Sequence, residues 1–197
     1  MIKKKLIKNA RKIDQFLIKF LKKQQSSLLV KPMKYGVISG GKKIRSTIIF
    51  DTGKIFNISE KKLINICAAV ECIHSYSLIH DDLPCMDNDT IRRGKPATHI
   101  KFGEASAVLA GSSLLTLAFE IIADKKYLLI PKAKNEIIKF LSSCSGHTGI
   151  AGGQELDLKF ENKKKRINQI IDMQKKKTGK LFNFCLYAVG VVAKKNT

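Results

Sequence analysis

The chain has 197 residues, 44% of them hydrophobic and 27% charged, which is enough apolar material for one buried core and excludes a disordered chain. It carries 37 basic residues against 16 acidic ones, a formal charge of +21, and five of the cations are Arg (Arg11, Arg45, Arg92, Arg93 and Arg166). Lysines scattered over helical faces, with short runs at 3–5, 163–165 and 175–177, read first as solvated surface, and a polyphosphate ligand would engage only a few of them.

Residues 2–23 place Ile2, Leu6, Ile13, Phe16, Leu17, Phe20 and Leu21 at mostly three- and four-residue spacings, so an amphipathic first helix is predicted. Pro32 and Gly36 then break the chain, and Gly40-Gly41 follow. A helix is predicted from about Lys42 to Gly53 or Asn57. Ser59 before Glu60 reads as an N-cap. Segment 61–80 is apolar on nearly every side, with Leu63, Ile66, Val70, Ile73 and Ile79, which predicts a central buried helix running into Asp81-Asp82. A loop with Pro84, Gly94 and Pro96 comes next, then helices over 103–122 and 133–145. Gly146, Gly149 and Gly152-Gly153 punctuate the following stretch, and a last helix is predicted over about 166–195. No segment alternates as a strand does, so the fold class is all-α. No linker or internal repeat divides 1–197, which reads as one domain.

The five cysteines, Cys67, Cys72, Cys85, Cys144 and Cys185, form no CxxC pair. Together with an N-terminus interrupted at Lys8, Arg11, Lys12 and Asp14, they lead us to expect reduced thiols and a cytoplasmic protein. No run of about 18 apolar residues occurs, so no membrane span is expected.

Asp81-Asp82-Leu83-Pro84-Cys85-Met86-Asp87 packs carboxylates at the end of an apolar helix, where they repel unless a cation sits among them. Hard oxygens suit Mg²⁺, which bridges to substrate phosphates. Six residues at 100° each put Asp87 about 240° round an ideal helix from Asp81. The two can share a face only if the helix is bulged between them, and Pro84 is placed to break it. His74 lies two turns before Asp81 and points the same way. The alternative for it is a satisfied core histidine, and His80, His99 and His147 take that reading.

Gly40-Gly41-Lys42-Lys43-Ile44-Arg45 allows close backbone approach at a helix N-terminus, with Lys42 and Arg45 on one face. It lacks the spacing of a Walker loop. Arg92-Arg93-Gly94 can hold a diphosphate against metal at Asp81 and Asp87, or can simply balance the acids. Lys177-Thr178-Gly179 offers donors where the last helix can bend.

Taken in order, these segments resemble the bacterial farnesyl branch of the short-chain trans-prenyl diphosphate synthases. Residues 40–45 match GGKxxR. Residues 74–98, HSYSLIHDDLPCMDNDTIRRGKPAT, match the first aspartate-rich region with its two-residue insertion. Residues 101–110 (KFGEASAVLA), 152–158 (GGQELDL) and 177–179 continue the match.

The resemblance implies an orthogonal bundle of helices around a central cavity, usually as a homodimer. It implies head-to-tail condensation of isopentenyl diphosphate with an allylic diphosphate, dimethylallyl then geranyl, to give farnesyl diphosphate. By position, Asp81 and Asp87 would bind Mg²⁺ with Asp82 in support. Lys42, Arg45, His74 and Arg93 would bind isopentenyl diphosphate. Arg92, Lys177 and Thr178 would bind the allylic diphosphate and assist its departure. Tyr76, five residues before Asp81, would be the floor that limits the product to fifteen carbons.

Two positions depart from the pattern. No acidic pair follows Asp82, whereas the family has a second aspartate-rich motif on a later helix, so the fold is expected to be incomplete on its C-terminal side. Leu181, Phe182, Phe184 and Leu186 are then expected to be exposed. Ser112 stands where relatives usually show Asp. Three readings follow: a prenyltransferase, an inactive remnant or non-catalytic partner subunit, and a basic helical module binding nucleic acid or anionic membrane.

Overall fold

The computed structural model describes residues 2–24, 27–38 and 40–194. It is a helical bundle built around one central helix, α4 (Glu60–Asp81). Leu63, Ile66, Val70 and Ile73 of α4 are fully enclosed, as are the small Ala68 and Ala69, which let neighbouring helices approach closely. Around it stand α1 (Ile2–Lys22), α2 (Val30–Ile38), α3 (Ile44–Ile55), α6 (Glu104–Ala123) and α10 (Lys180–Lys194). The short α5 (Thr98–Phe102) leads into α6; α7 (Pro131–Ser145) packs on α6 and α10. Last come α8 (Ile150–Phe160) and α9 (Ile167–Gln174).

α1 buries Ile13, Leu17 and Leu21, four residues apart, against α3 and α4. Each such side chain contributes about 1.5–3 kcal/mol on leaving water. The opposite face carries the lysines. Asn9, also on the inner face, donates to the Thr47 hydroxyl at 3.2 Å, so the buried amide keeps a partner.

The structure corrects the sequence reading at five places. Pro32 and Gly36 do not break the chain; they lie within α2. Pro32 sits in the first turn, where its missing N–H costs nothing. Gly36 lies where a Cβ would stand 2.4 Å from Ile79 Cδ1, so it makes room for α4. Gly152 and Gly153 likewise lie inside α8 rather than in a loop.

The predicted last helix is α9 and α10 joined by a π-helical turn, Lys175–Gly179. The part of that prediction reaching residue 195 lies outside the described residues. A two-stranded hairpin, β1 (Ile91–Arg92) and β2 (Lys95–Pro96), pairs Ile91 with Pro96 and Arg92 with Lys95, where no strand was expected. Arg93 (φ 54°) and Gly94 (φ 74°) form its tight turn, with the two left-handed residues that a two-residue hairpin loop requires. Finally, Leu181 and Phe184 are buried against the core, and Phe182 is half-buried; Leu186 is exposed as expected.

By length and composition α4 and α6 both qualify as membrane-spanning candidates, which a count of consecutive apolar residues did not reveal. For α4 the bundle accounts for this, since 78% of its most apolar stretch is inside. α6 keeps an outward face with Val108 and Leu109 exposed.

Candidate active site

α4 ends at Asp81 rather than bulging through the acidic segment. Asp82 caps it, its N–H bonded to the Leu78 carbonyl at 3.1 Å, and the chain turns at Leu83–Met86. The Asp87 N–H then donates back to the Asp81 carbonyl at 2.8 Å. This closure, not a bulge, brings the two residues together despite their opposed helical phase.

Burial pushes the Asp81 carboxyl up to about 6; Lys177 opposes the shift, and the neighbouring Asp87 and Asp82 add to it. Such a group ionises willingly only beside a cation.

Asp82 is almost wholly buried and accepts a bond from Arg92 Nε at 2.7 Å, with a second from Nη2. Arg92 also reaches Asp89 at 2.8 Å. Burial raises the Asp82 pKa while the Arg92 contact lowers it, and the same contact raises that of Arg92. Both Arg92 nitrogens donate to the one oxygen Asp82 Oδ1, and we read the contact as a charged pair. Asp82 is therefore turned toward the hairpin and engaged there.

On the other side, Gly40 (φ 97°) and Gly41 (φ 100°) lead through Lys43 (φ 46°) into α3. Arg93 Nη1 donates to the Gly40 carbonyl at 2.7 Å. The φ of Gly41 favours glycine, and a Cβ there would stand 2.7 Å from the Arg93 guanidinium carbon and displace that side chain from Gly40. Arg45 lies 4.6 Å over the Phe182 ring, and its buried Nε finds no hydrogen-bond acceptor among the described residues. Burial lowers the Arg45 pKa, with the charge of Glu71 opposing. Lys42 is exposed at the mouth of this loop.

His74 lies among these cations. Burial pushes its pKa down to about 3, and Arg45, Arg93, Lys43 and Arg92 lower it further. It is a neutral imidazole, able to share a hydrogen bond but not to serve as a cation. The hairpin joins the two halves of the site: Arg92 grips the acidic side at Asp82, and Arg93 grips the glycine loop at Gly40.

Lys177, in the π-turn, bonds Asp157 of α8 at 2.5 Å. Gln154 of α8 reaches Asp87 at 3.4 Å. A cleft of about 420 Å³ opens there, lined by Asp87, Asp157, Leu158, Phe160 and Met173 among others. Thr178 is exposed. Tyr76 is buried, donates to the Ser145 carbonyl at 3.1 Å and meets His80 edge-on. Burial first, and then the charge of Asp81, pushes its phenol up to about 12.

Sequence reasoning passed over Lys43, Glu71 and Asp89, and it named Lys177 without its pairing to Asp157. Asp89 was findable, three residues before Arg92; the others required knowing which helices meet. His80 turns away to α6, 3.1 Å from the Val108 carbonyl, in keeping with its bland reading.

Among the described residues no three His, Cys, Asp or Glu side chains form a closed metal cage. Asp81 and Asp87 lie near enough for the charge of one to raise the pKa of the other, and hard carboxylate oxygens of this kind suit a divalent cation that completes its shell with water and phosphate. Burial is the main reason the Asp81 pKa is raised, and a cation bound beside it would offset that cost as Lys177 does in part.

Residues 26–197 match the family model for polyprenyl synthetase. The farnesyl diphosphate synthase of Escherichia coli (strain K12) is 46% identical over 158 residues, 80% of this chain and 53% of that protein. That of Bacillus subtilis (strain 168) is 42% identical over 166 residues, 84% of this chain and 56% of that protein. The chain thus spans about half the length of the curated relatives it matches. Among solved structures, an FPP/GFPP synthase from Zymomonas mobilis superposes with a TM-score of 0.91 at 39% identity, covering 100% of this chain and 72% of that one. A geranyltransferase from Legionella pneumophila gives 0.89 at 34% identity, covering 97% and 68%. A helical bundle with this pairing of acidic segment and glycine loop, matched over most of its length, belongs to the polyprenyl synthetase family.

Proposed function

We propose that this chain carries the diphosphate-binding machinery of a prenyltransferase that condenses isopentenyl diphosphate with dimethylallyl or geranyl diphosphate to give farnesyl diphosphate. The observation that carries the reading is the backbone bond from Asp87 N–H to the Asp81 carbonyl, together with the charge of Asp87 acting on Asp81; both support two carboxylates acting jointly at the end of α4. Beside them the Arg92–Arg93 hairpin bonds Asp82 at one end and the Gly40 carbonyl of the cationic loop at the other.

In this reading Asp81 and Asp87 hold Mg²⁺, and Asp82 orients Arg92 rather than binding metal. When bound, Mg²⁺ supplies Lewis-acid stabilisation of the charge that gathers on the leaving diphosphate. Arg92, Lys177 and Thr178 take the allylic diphosphate, and their donors stabilise the charge gathering on it as the allylic C–O bond breaks and its electron pair leaves with the diphosphate. Lys42, Arg45 and Arg93 hold the isopentenyl diphosphate, and neutral His74 shares a hydrogen bond with it. The isopentenyl double bond then attacks the allylic carbon, and the proton lost in forming the new double bond passes to the released diphosphate. Tyr76 closes the end of the chain channel and sets fifteen carbons as the product.

The exposed face of α6, with Val108, Leu109, Ser112 and Thr116, is where a second copy packs in a homodimer. A reducing, cytoplasmic setting fits five free thiols, four of them buried.

The test is turnover of the purified chain with radiolabelled isopentenyl diphosphate, geranyl diphosphate and Mg²⁺, beside Asp81→Ala. Fifteen-carbon product that vanishes in the variant supports the reading. Folded protein that yields no product, and binds neither substrate, removes it.

A further inference from the structure

Within the Gly40–Arg45 loop Lys42 is exposed, but Lys43 turns inward and is 4% exposed. Its backbone is left-handed (φ 46°, ψ 48°) at the N-cap of α3, a conformation that residues with a Cβ rarely adopt unless other contacts hold it. Three polar contacts hold it here. The Lys43 ammonium donates to the Val37 carbonyl at 2.6 Å, at the end of α2. It lies 3.5 Å from Asp14 of α1 and 4.0 Å from Glu71 of α4. Glu71, itself 2% exposed, accepts from the Ser46 N–H at 3.3 Å and from the Ser46 hydroxyl at 2.7 Å, in the first turn of α3. One buried side chain thus joins α1, α2 and α4 beneath the loop that opens α3. A buried ammonium survives only when paired and bonded, and three oxygens meet this one. Enclosed and aimed at those oxygens, it does not itself reach a ligand at the surface.

We propose that Lys43 is a positioning residue: clamped by Val37, Asp14 and Glu71, it holds the Gly40–Arg45 loop in the shape in which Lys42, Arg45 and the Gly40-bound Arg93 converge on one diphosphate. The inference rests on the diphosphate-binding reading above, and adds to it a residue that binds nothing yet sets the affinity.

The test is calorimetric titration of inorganic pyrophosphate without Mg²⁺ into the wild-type chain, Lys43→Met, Glu71→Gln and the double variant. The double variant loses the clamp but keeps the net charge of the wild-type site. Kd should rise about tenfold in Lys43→Met, the equivalent of one charge-assisted hydrogen bond set out of line, and should stay raised in the double variant. Geranyl diphosphate binding with Mg²⁺, at the acidic end, should not change. Recovery of wild-type affinity in the double variant would mean that Lys43 acts only through its field, and overturns the proposal. So does an unchanged Kd in a folded Lys43→Met. Should Lys43→Met fail to fold, Lys43→Arg keeps the charge and changes the shape; a several-fold rise in Kd supports the clamp, and wild-type affinity sinks it. A wild-type chain that does not bind pyrophosphate removes the underlying diphosphate reading, and this inference with it. Binding by wild type with no response in the variants removes the clamp alone.

Discussion

Gly153 of α8 lies so close to Lys177 that a Cβ on it would stand 2.2 Å from the Lys177 backbone nitrogen and 2.5 Å from its Cα. Those are backbone atoms and cannot rotate aside. The contact seats α8 against the π-turn and so aims Lys177 at Asp157. Gly153→Ala should cost about 1–3 kcal/mol through forced separation of the two segments. Urea unfolding is the check, with a lowered midpoint and an unchanged m-value expected. A stability equal to wild type would mean that the two segments are not held in this contact.

The second prediction concerns pH. Asp81 has a folded pKa near 6, above its ordinary 3.8. Between those values the folded state holds a proton that the unfolded state has lost, so stability from this group falls as pH rises through that window. In metal-free protein at pH 7.5, Asp81→Asn should therefore be more stable than wild type, by about 1 kcal/mol after solvent screening. The gain should fade as pH falls toward 4. Thermal melts of both proteins across that range decide it; a variant less stable than wild type at pH 7.5 would contradict the burial argument.

Much of this site is legible in the sequence because its parts are local. The apolar run of 61–80 marks the central helix, and the acidic and glycine-rich segments mark their own ends of it. What was hidden depends on contacts between distant segments. Pro32, Gly36 and Gly153 read as breakers, yet each sits in a helix, because a first-turn position or a close neighbour makes the residue fit. Lys43 looked like one more surface lysine until α1, α2 and α4 closed over it. Leu181 and Phe184 were expected on an open wall, but α3, α4 and α7 cover α10.

Tyr76 allows two substitutions with opposite readouts. Tyr76→Phe loses the bond to Ser145 and about 1 kcal/mol of stability, and should leave product length as it is. Tyr76→Ala removes the ring, costs about 3 kcal/mol or more, and should lengthen the product past fifteen carbons. Chromatography of the dephosphorylated products measures both. An unchanged product from folded Tyr76→Ala would end the chain-length role.

His74, with its pKa near 3, is neutral throughout the working range. His74→Gln keeps a neutral hydrogen-bonding group, and substrate affinity should change less than about fivefold, within the span of one neutral hydrogen bond. The pH profile of binding should also keep its shape between pH 5 and 8. Loss of a titration near pH 6 to 7 in the variant would show that the imidazole is charged in the wild-type site.

The central claim is that Asp81 and Asp87 at the end of α4 make a metal-dependent diphosphate site. It is tested most directly by equilibrium binding of geranyl diphosphate with Mg²⁺ and with a chelator, in the wild-type chain, Asp87→Ala and Asp89→Ala. We expect binding that needs Mg²⁺, is lost in Asp87→Ala, and survives in Asp89→Ala, whose carboxylate touches Arg92 and not the mouth of the site. Binding that persists in chelator, or that Asp87→Ala leaves intact, would contradict the account.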